Sequence, residues 1–353
     1  MEPFTFTLPA RQPFDHAGVT RFLAAHAVAG VEAVVDGEYW RTLALPGGGG
    51  VGGASGGGGG QAVLAVRADP AGVAGRVWLG GGGGGGGGTA ERVVAAIRRL
   101  YDLDADAPAI DGALAVVPEL GASLRAAPGI RMPGSTDAHE TLFRTLLGQQ
   151  VSVKAARTVQ GRLAAALGDP LDEHLRAVAA GGPRSRAVGA TDAGDDPRGA
   201  TAVAARGGSG NPSAVPGDPA VLSGLFPTAE QIAVGGRGVV RGPAQRVETI
   251  LRVAEALADG SLVIENTLTV PELTSRLMAV RGIGPWTADY VSMRVLGAPD
   301  VLLDGDLALR AGAAALGLPS DRRELVRYAE RMAPWRSYFG MHLWRDAVAA
   351  LAG

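Results

Sequence analysis

Val280-Arg281-Gly282-Ile283-Gly284-Pro285-Trp286-Thr287-Ala288-Asp289-Tyr290 carries the clearest local signal in the chain. Upstream, Pro271 to Met278 reads as a helix, with Leu273, Leu277 and Met278 apolar; downstream, Trp286, Tyr290 and Met293 recur along one face of a second helix that starts at Pro285. Gly282 and Gly284 let the backbone turn tightly, and Pro285 suits a first helical turn, where its missing N–H would be unpaired anyway. A helix, a Gly-Ile-Gly turn and a second helix can receive a phosphate on the free N–H groups of the second helix without any charged side chain. An ordinary tight helix–helix connection has the same signature, so the turn alone leaves both readings open.

The residues beyond it narrow the choice. Trp286 and Tyr290 are four apart on one helical face, and Val301-Leu302-Leu303-Asp304-Gly305-Asp306 follows, its apolar start placing Asp306 at the mouth of a core. Pro334-Trp335-Arg336-Ser337-Tyr338 adds aromatic surface. Taken together, Trp286, Tyr290, Trp335 and Asp306 suggest a pocket for a flat, electron-poor ring. Taken singly, each aromatic is more simply core, and Asp304 or Asp306 more simply a helix cap.

Outward from this segment, the last third from Val270 to Leu351 is helical, and helical spacing is also evident in Thr228 to Ile232 and Ala244 to Leu257. The first hundred residues differ. Phe4 to Leu8 alternates with period two, Val31 to Val35 and Tyr39 to Leu43 flank an Asp36-Gly37 hairpin turn, and Ala62 to Val66 and Arg76 to Leu79 supply two further strands. Helices are expected around Val19, Phe22, Leu23 and His26, and around Val94, Ile97 and Tyr101. The fold class is therefore α+β, a small N-terminal antiparallel sheet with helices followed by a helical core. Residues 1–105 form the first domain and residues 106–353 the second, with the hairpin at about 271–293.

Composition bounds the function. The 353 residues include 55 glycines, concentrated in Gly-rich loops at 47–60 and 80–88. These tracts bury too little side chain to offset backbone ordering and read as flexible connections, not as phosphate-binding loops, which need a parallel strand–turn–helix unit. A second low-complexity stretch, about 179–219, reads as a disordered insertion in the helical core. With 0 cysteines, a disulfide, a thiolate nucleophile and a Cys-held zinc or iron–sulfur cluster are excluded. His16, His26, His139, His174 and His342 lack metal-ligand spacing. The N-terminus lacks the pattern of a signal peptide and no apolar run is long enough to span a membrane, so a cytoplasmic protein is expected. A net charge of −2 leaves any polyanion binding to a local patch. One is suggested by Arg125, Arg131, Arg144, Lys154, Arg157 and Arg162, set against Asp137 and Glu140.

Leu147-Gly148-Gln149-Gln150-Val151-Ser152, the hairpin, Asp304-Gly305-Asp306 and Pro334 to Tyr338, in this order, resemble the bacterial 3-methyladenine DNA glycosylase II family of helix-hairpin-helix glycosylases. Phe22 to Val28 and the surrounding sheet are similar to that family's N-terminal domain; the Gly tracts and the insertion are not covered. The resemblance implies a two-lobed helical glycosylase core and a monomer acting on double-stranded DNA containing alkylated bases. It implies Asp306 as catalytic carboxylate, Trp286, Tyr290 and Trp335 as base-binding rings, and Gln149, Gln150, Arg281, Gly282, Ile283, Gly284 and Thr287 as DNA contacts. The residue that fills the gap left by an extruded base falls on Gln150, where the best-known member has leucine.

An ionised Asp306 suits an oxocarbenium-like transition state, and cationic alkylpurines such as 3-methyladenine and 7-methylguanine leave without a general acid and stack well on electron-rich rings. Strand-cleaving relatives carry a lysine where this chain has Trp286, so a monofunctional enzyme is implied. No cofactor is implied beyond a monovalent cation, Na+ or K+, on the backbone carbonyls of Met278, Val280 and Ile283. Two alternatives are a catalytically silent helix-hairpin-helix DNA-binding protein and a glycosylase for deaminated or mismatched bases.

Overall fold

The computed structural model describes residues 2–45, 60–80, 87–181 and 222–352. Both predicted Gly-rich loops lie largely outside the described residues, as does the predicted insertion beyond Gly181.

The N-terminal part is a five-stranded antiparallel sheet of β1 (Phe4–Pro9), β2 (Glu32–Val35), β3 (Glu38–Ala44), β4 (Gln61–Asp69) and β5 (Gly72–Leu79), in the order β1-β5-β4-β3-β2. The Asp36-Gly37 turn has φ of 50° and 75°, the two positive values that a two-residue hairpin of this twist requires. β5 begins four residues before the expected Arg76 because Asp69 Oδ1 accepts the amides of Ala71 and Gly72 and closes a second tight turn. Helices α1 (His16–His26) and α2 (Gly87–Leu100) cover one face, packing Val19, Leu23, Val93 and Ile97 on Leu64, Val66 and Val77. On the other face Trp40, Val63 and Ala65 meet Leu171, Leu175 and Ala179. The last two belong to α7 (Glu173–Ala180), which runs past the expected start of the insertion. A sheet covered on both faces explains why β4 is apolar almost throughout instead of alternating.

The helical part has two hydrophobic centres. One gathers α5 (Ala138–Gly148), α6 (Val153–Leu167), α8 (Ala229–Val239), α9 (Ala244–Ala258) and α10 (Val270–Ala279). The other gathers α3 (Ala107–Leu114), α4 (Gly121–Ala126), α12 (Leu307–Ala315), α13 (Arg322–Ala329) and α14 (Arg336–Ala352). Between them runs α11 (Pro285–Leu296), which gives Ala288, Val291 and Val295 to the first centre and Trp286, Tyr290 and Met293 to the second. The expected two-lobed core is present, and the helix that follows the Gly-Ile-Gly turn forms its seam.

Buried charge joins the sheet to the helices. Glu32 on β2 accepts Arg41 Nη1, Arg144 Nη1, the Tyr39 hydroxyl and the Val28 amide at 2.6–2.9 Å, and Arg41 also pairs with Glu140 of α5. Arg131 is 2% exposed and donates to the carbonyls of Gly129, Arg11 and Pro13. Arg157 donates to Ala27 O. The basic stretch expected between Gly121 and Gly168 is therefore divided: Arg131 and Arg144 are taken up by buried partners and Arg157 is half-buried on Ala27 O, whereas Arg125, Lys154 and Arg162 stay exposed.

Candidate active site and nucleic-acid interface

Asp306 is the N-cap of α12, and its Oδ1 accepts the Leu309 amide at 2.8 Å. The capping reading was thus right as far as it went, but the carboxylate does more. Oδ1 also accepts Trp344 Nε1 at 3.1 Å, and Oδ2 accepts Trp286 Nε1 at 3.3 Å. All three donors are neutral, so they fix the carboxylate's orientation without supplying a counter-charge. Asp304 has a different fate. It takes the bidentate Arg322 fork at 2.9 and 3.1 Å. The structure thereby separates two acids that are two residues apart in sequence and both half-buried: one paired with an arginine, the other beside aromatic rings.

Those rings form a connected set. Trp286 and Tyr290 stack at 5.3 Å and 16°, and Trp344 meets Tyr290 edge-on at 6.4 Å. Trp344 comes from α14, which can approach α12 closely because Gly312 lies against Leu343 O, where a Cβ would sit 1.9 Å away. Trp335 is not part of this set. It is half-buried against the same hydrophobic centre, but its ring contact is Tyr338, whose hydroxyl donates to Asp102. Of the expected rings, then, the structure brings Trp286 and Tyr290 to Asp306 and places Trp344 where Trp335 was anticipated. Sequence reasoning missed Trp344 because a lone tryptophan far along a helix carries no local mark of its partner.

The hairpin divides the labour of its two glycines. Gly282 has φ of 103°, and a Cβ there would lie 2.0 Å from Thr249 Oγ1. Gly284 has φ of −98° and no atom within 4 Å of a built Cβ, so the turn itself does not require a glycine there. Gly284 is the N-cap of α11 and offers no side chain to it; its carbonyl accepts the Ala288 amide, leaving the amides of Trp286 and Thr287 without partners inside the helix. The Thr287 side chain is buried and accepts Gln149 Nε2 at 2.7 Å, while Arg246 Nη1 donates to Gln149 O at 2.9 Å. Gln149 and Thr287 therefore bond each other and tie the loop after α5 to the hairpin. Next to this tie Gln150 is exposed, with φ of 58°. Arg281 is also exposed, and its carbonyl accepts Arg252 Nη1. Arg241, Arg246 and Arg252 are held by backbone carbonyls and, among the described residues, make no ion pair, although Glu248, which pairs with Arg237, also interacts electrostatically with Arg252.

Val280 O accepts the Ile283 amide at 3.1 Å within the turn. Among the described residues no group of three or more His, Asp or Glu side chains is arranged to hold a metal ion, and no helix is long and apolar enough to cross a membrane.

Residues 5–137 match the family described as the AlkA N-terminal domain. A probable bifunctional transcriptional activator/DNA repair enzyme AlkA of Mycobacterium tuberculosis H37Rv is 36% identical over 96% of this chain and 56% of its own length, so the chain spans little more than half of that relative. DNA-3-methyladenine glycosylase 2 of Escherichia coli K12 is 30% identical over 96% of both chains. In fold the chain is similar to a 3-methyladenine DNA glycosylase of Archaeoglobus fulgidus, with a TM-score of 0.67 at 15% identity and 98% of each chain covered.

Proposed function

The chain belongs to the AlkA family of DNA-3-methyladenine glycosylases, and on that premise we propose that it excises alkylated purines, of the 3-methyladenine and 7-methylguanine type, from duplex DNA. The observation that carries this reading is the Asp306 carboxylate, held by Trp286, Trp344 and the Leu309 amide and, among the described residues, in no ion pair. In the proposed reaction the damaged nucleotide is turned out of the duplex, at a lower cost than an intact one, and its base enters beside Trp286, Tyr290 and Trp344. As the glycosidic bond lengthens, positive charge grows on the sugar, and a fixed carboxylate stabilises it more than water does because its orientation is already set. An alkylated purine that is already cationic departs as a neutral base, so one carboxylate suffices. With tryptophan at position 286 and no amine among the groups around Asp306, the product is an abasic site and the strand stays intact.

The partnerless amides at the start of α11, with Arg281 and the carbonyl-held arginines beside them, receive the DNA backbone. Gln150, exposed on the loop anchored by Gln149, fills the gap in the stack and hydrogen-bonds the base left unpaired. The carbonyls of Met278, Val280 and Ile283 are neutral donors on one turn, which suits a monovalent cation better than a divalent one; a bound ion would add charge next to the phosphate site. The enzyme acts as a monomer in the cytoplasm.

The test is release of base from duplexes carrying a single alkylated purine. Wild type should release it, and Asp306→Asn should be slower by about 10²–10³-fold while still binding DNA. Salt-sensitive duplex binding without base release by the wild-type chain would instead make it a DNA-binding protein.

A further inference from the structure

Trp286, Tyr290 and Arg294 lie at positions i, i+4 and i+8 of α11 and form one column. Trp286 stacks on Tyr290, and the Arg294 guanidinium lies 5.1 Å from the Tyr290 ring centre, 5.7 Å from that of Trp344 and 4.7 Å from that of Phe22 on α1. The far end of the column is Asp306, bonded to the Trp286 indole. Arg294 is 4% exposed, its Nη1 donates to Pro133 O at 2.7 Å, and its buried Nε has no partner. Among the described residues it makes no ion pair. Its neighbour His26, stacked on Phe22, is kept neutral at neutral pH by burial. An always-charged guanidinium thus lies buried behind the rings of the site, held by their π faces and one carbonyl, with Asp102 and Asp104 lining the same pocket but, among the described residues, not in ion-pair contact with it.

Resting on the excision reading above, we propose that Arg294 determines specificity: its buried positive charge offsets the attraction of Asp306 for a cationic base, so that neutral modified purines are processed beside cationic ones. A ring that already has a cation on one face offers a weaker face to a second cation, and two like charges separated by two stacking distances repel through a poorly solvated interior. The rings then select for flatness and size, and charge selects weakly.

Two substitutions separate charge from bracing. Arg294→Gln removes the charge and keeps a donor for Pro133 O, whereas Arg294→Lys keeps the charge. Single-turnover excision is measured from duplexes carrying one 7-methylguanine, a cationic base, or one hypoxanthine, a neutral one. Arg294→Gln should raise the ratio of the two rates in favour of 7-methylguanine by about tenfold, and Arg294→Lys should leave it within about twofold of wild type. Equal loss of both rates in Arg294→Gln, with the ratio unchanged, would show a bracing residue only and overturn the proposal, as would an equal shift in both variants. A measurement on wild type does not depend on the variants folding. A permanently cationic N7,N9-dimethylpurine should compete for the pocket no better than its neutral N9-methyl counterpart, and about tenfold tighter hold on the cation would overturn the proposal. If wild type releases neither base from DNA, the excision reading fails, and the inhibitor comparison, repeated with Arg294→Gln, still decides the role of Arg294.

Discussion

Trp344 shows how much of a site can depend on one donor. Its indole N–H reaches Asp306 Oδ1 at 3.1 Å, on the same oxygen that accepts the Leu309 amide. Trp344→Phe keeps most of the ring and removes only this N–H, leaving the carboxylate free to rotate about its remaining bonds. The single-turnover excision rate should fall by about tenfold, as expected for one hydrogen bond to a charged acceptor, with duplex affinity unchanged. A matched loss of affinity would mean that Trp344 acts in docking instead. At this scale helical spacing paired Trp286 with Tyr290, and the family resemblance, not spacing, singled out Asp306, which the structure places on the Trp286 indole. The sequence pointed to Trp335 for the third ring because Trp335 stands in a conspicuous Pro-Trp-Arg-Ser-Tyr run, whereas Trp344 reaches Asp306 only through the packing of α14 on α12.

Among the elements, the hairpin between α10 and α11 offers the sharpest test of what its glycines do. Gly282→Ala forces a Cβ into Thr249 at a positive φ and should cost about 1–3 kcal/mol in stability, read as a lowered Tm. Gly284→Ala meets open space at an ordinary φ and should change stability by no more than about 0.5 kcal/mol. If a phosphate seats on the amides at the start of α11, that same Cβ obstructs it, and duplex Kd should rise in Gly284→Ala with Tm unchanged. An unaltered Kd would remove the phosphate from this helix end. The sequence treated the two glycines alike because a Gly-x-Gly pattern does not show which residue has positive φ; that depends on Thr249 of α9 standing beside the turn.

Across the whole molecule, titration should report the burial that joins the sheet to the two helical centres. Burial holds His26 and His342 down at about 4, against an ordinary 6.5. For Glu32 burial alone would push the carboxyl up, but Arg144 and Arg41 hold it down at about 2. Asp102 goes the other way, pushed up by burial to about 6. As pH falls below 6.5, the unfolded chain takes up two histidine protons that the folded chain refuses, so stability falls. From about 6 downward Asp102 takes a proton first in the folded state and offsets one of them. The net loss is at most about one proton, or about 1.4 kcal/mol per pH unit, because burial also raises the carboxyls of Asp111, Glu140 and Asp289, while Glu32 acts in the opposite sense. The urea midpoint should therefore be highest near pH 7 and fall towards pH 5; a flat profile between pH 7 and 5 would show that these histidines are not buried neutral. The arginine-rich stretch between Gly121 and Gly168 belongs to the same lesson. Counted along the chain it looked like a surface for polyanions, and in the fold Arg144 and Arg131 became internal struts.

By itself the sequence determined the α+β division, the sheet strands and the helix-turn-helix hairpin, and the family resemblance pointed to the carboxylate beside it. The first three follow from periodicity, turn chemistry and capping, all of which act over a few residues. Tertiary structure alone decided which of Asp304 and Asp306 stays un-neutralised, which tryptophan closes the ring set, which arginines face outward, and that Arg294 lies behind the pocket. Each of those depends on a contact between residues distant in the chain, and nothing in local spacing encodes which distant partner will share a buried volume.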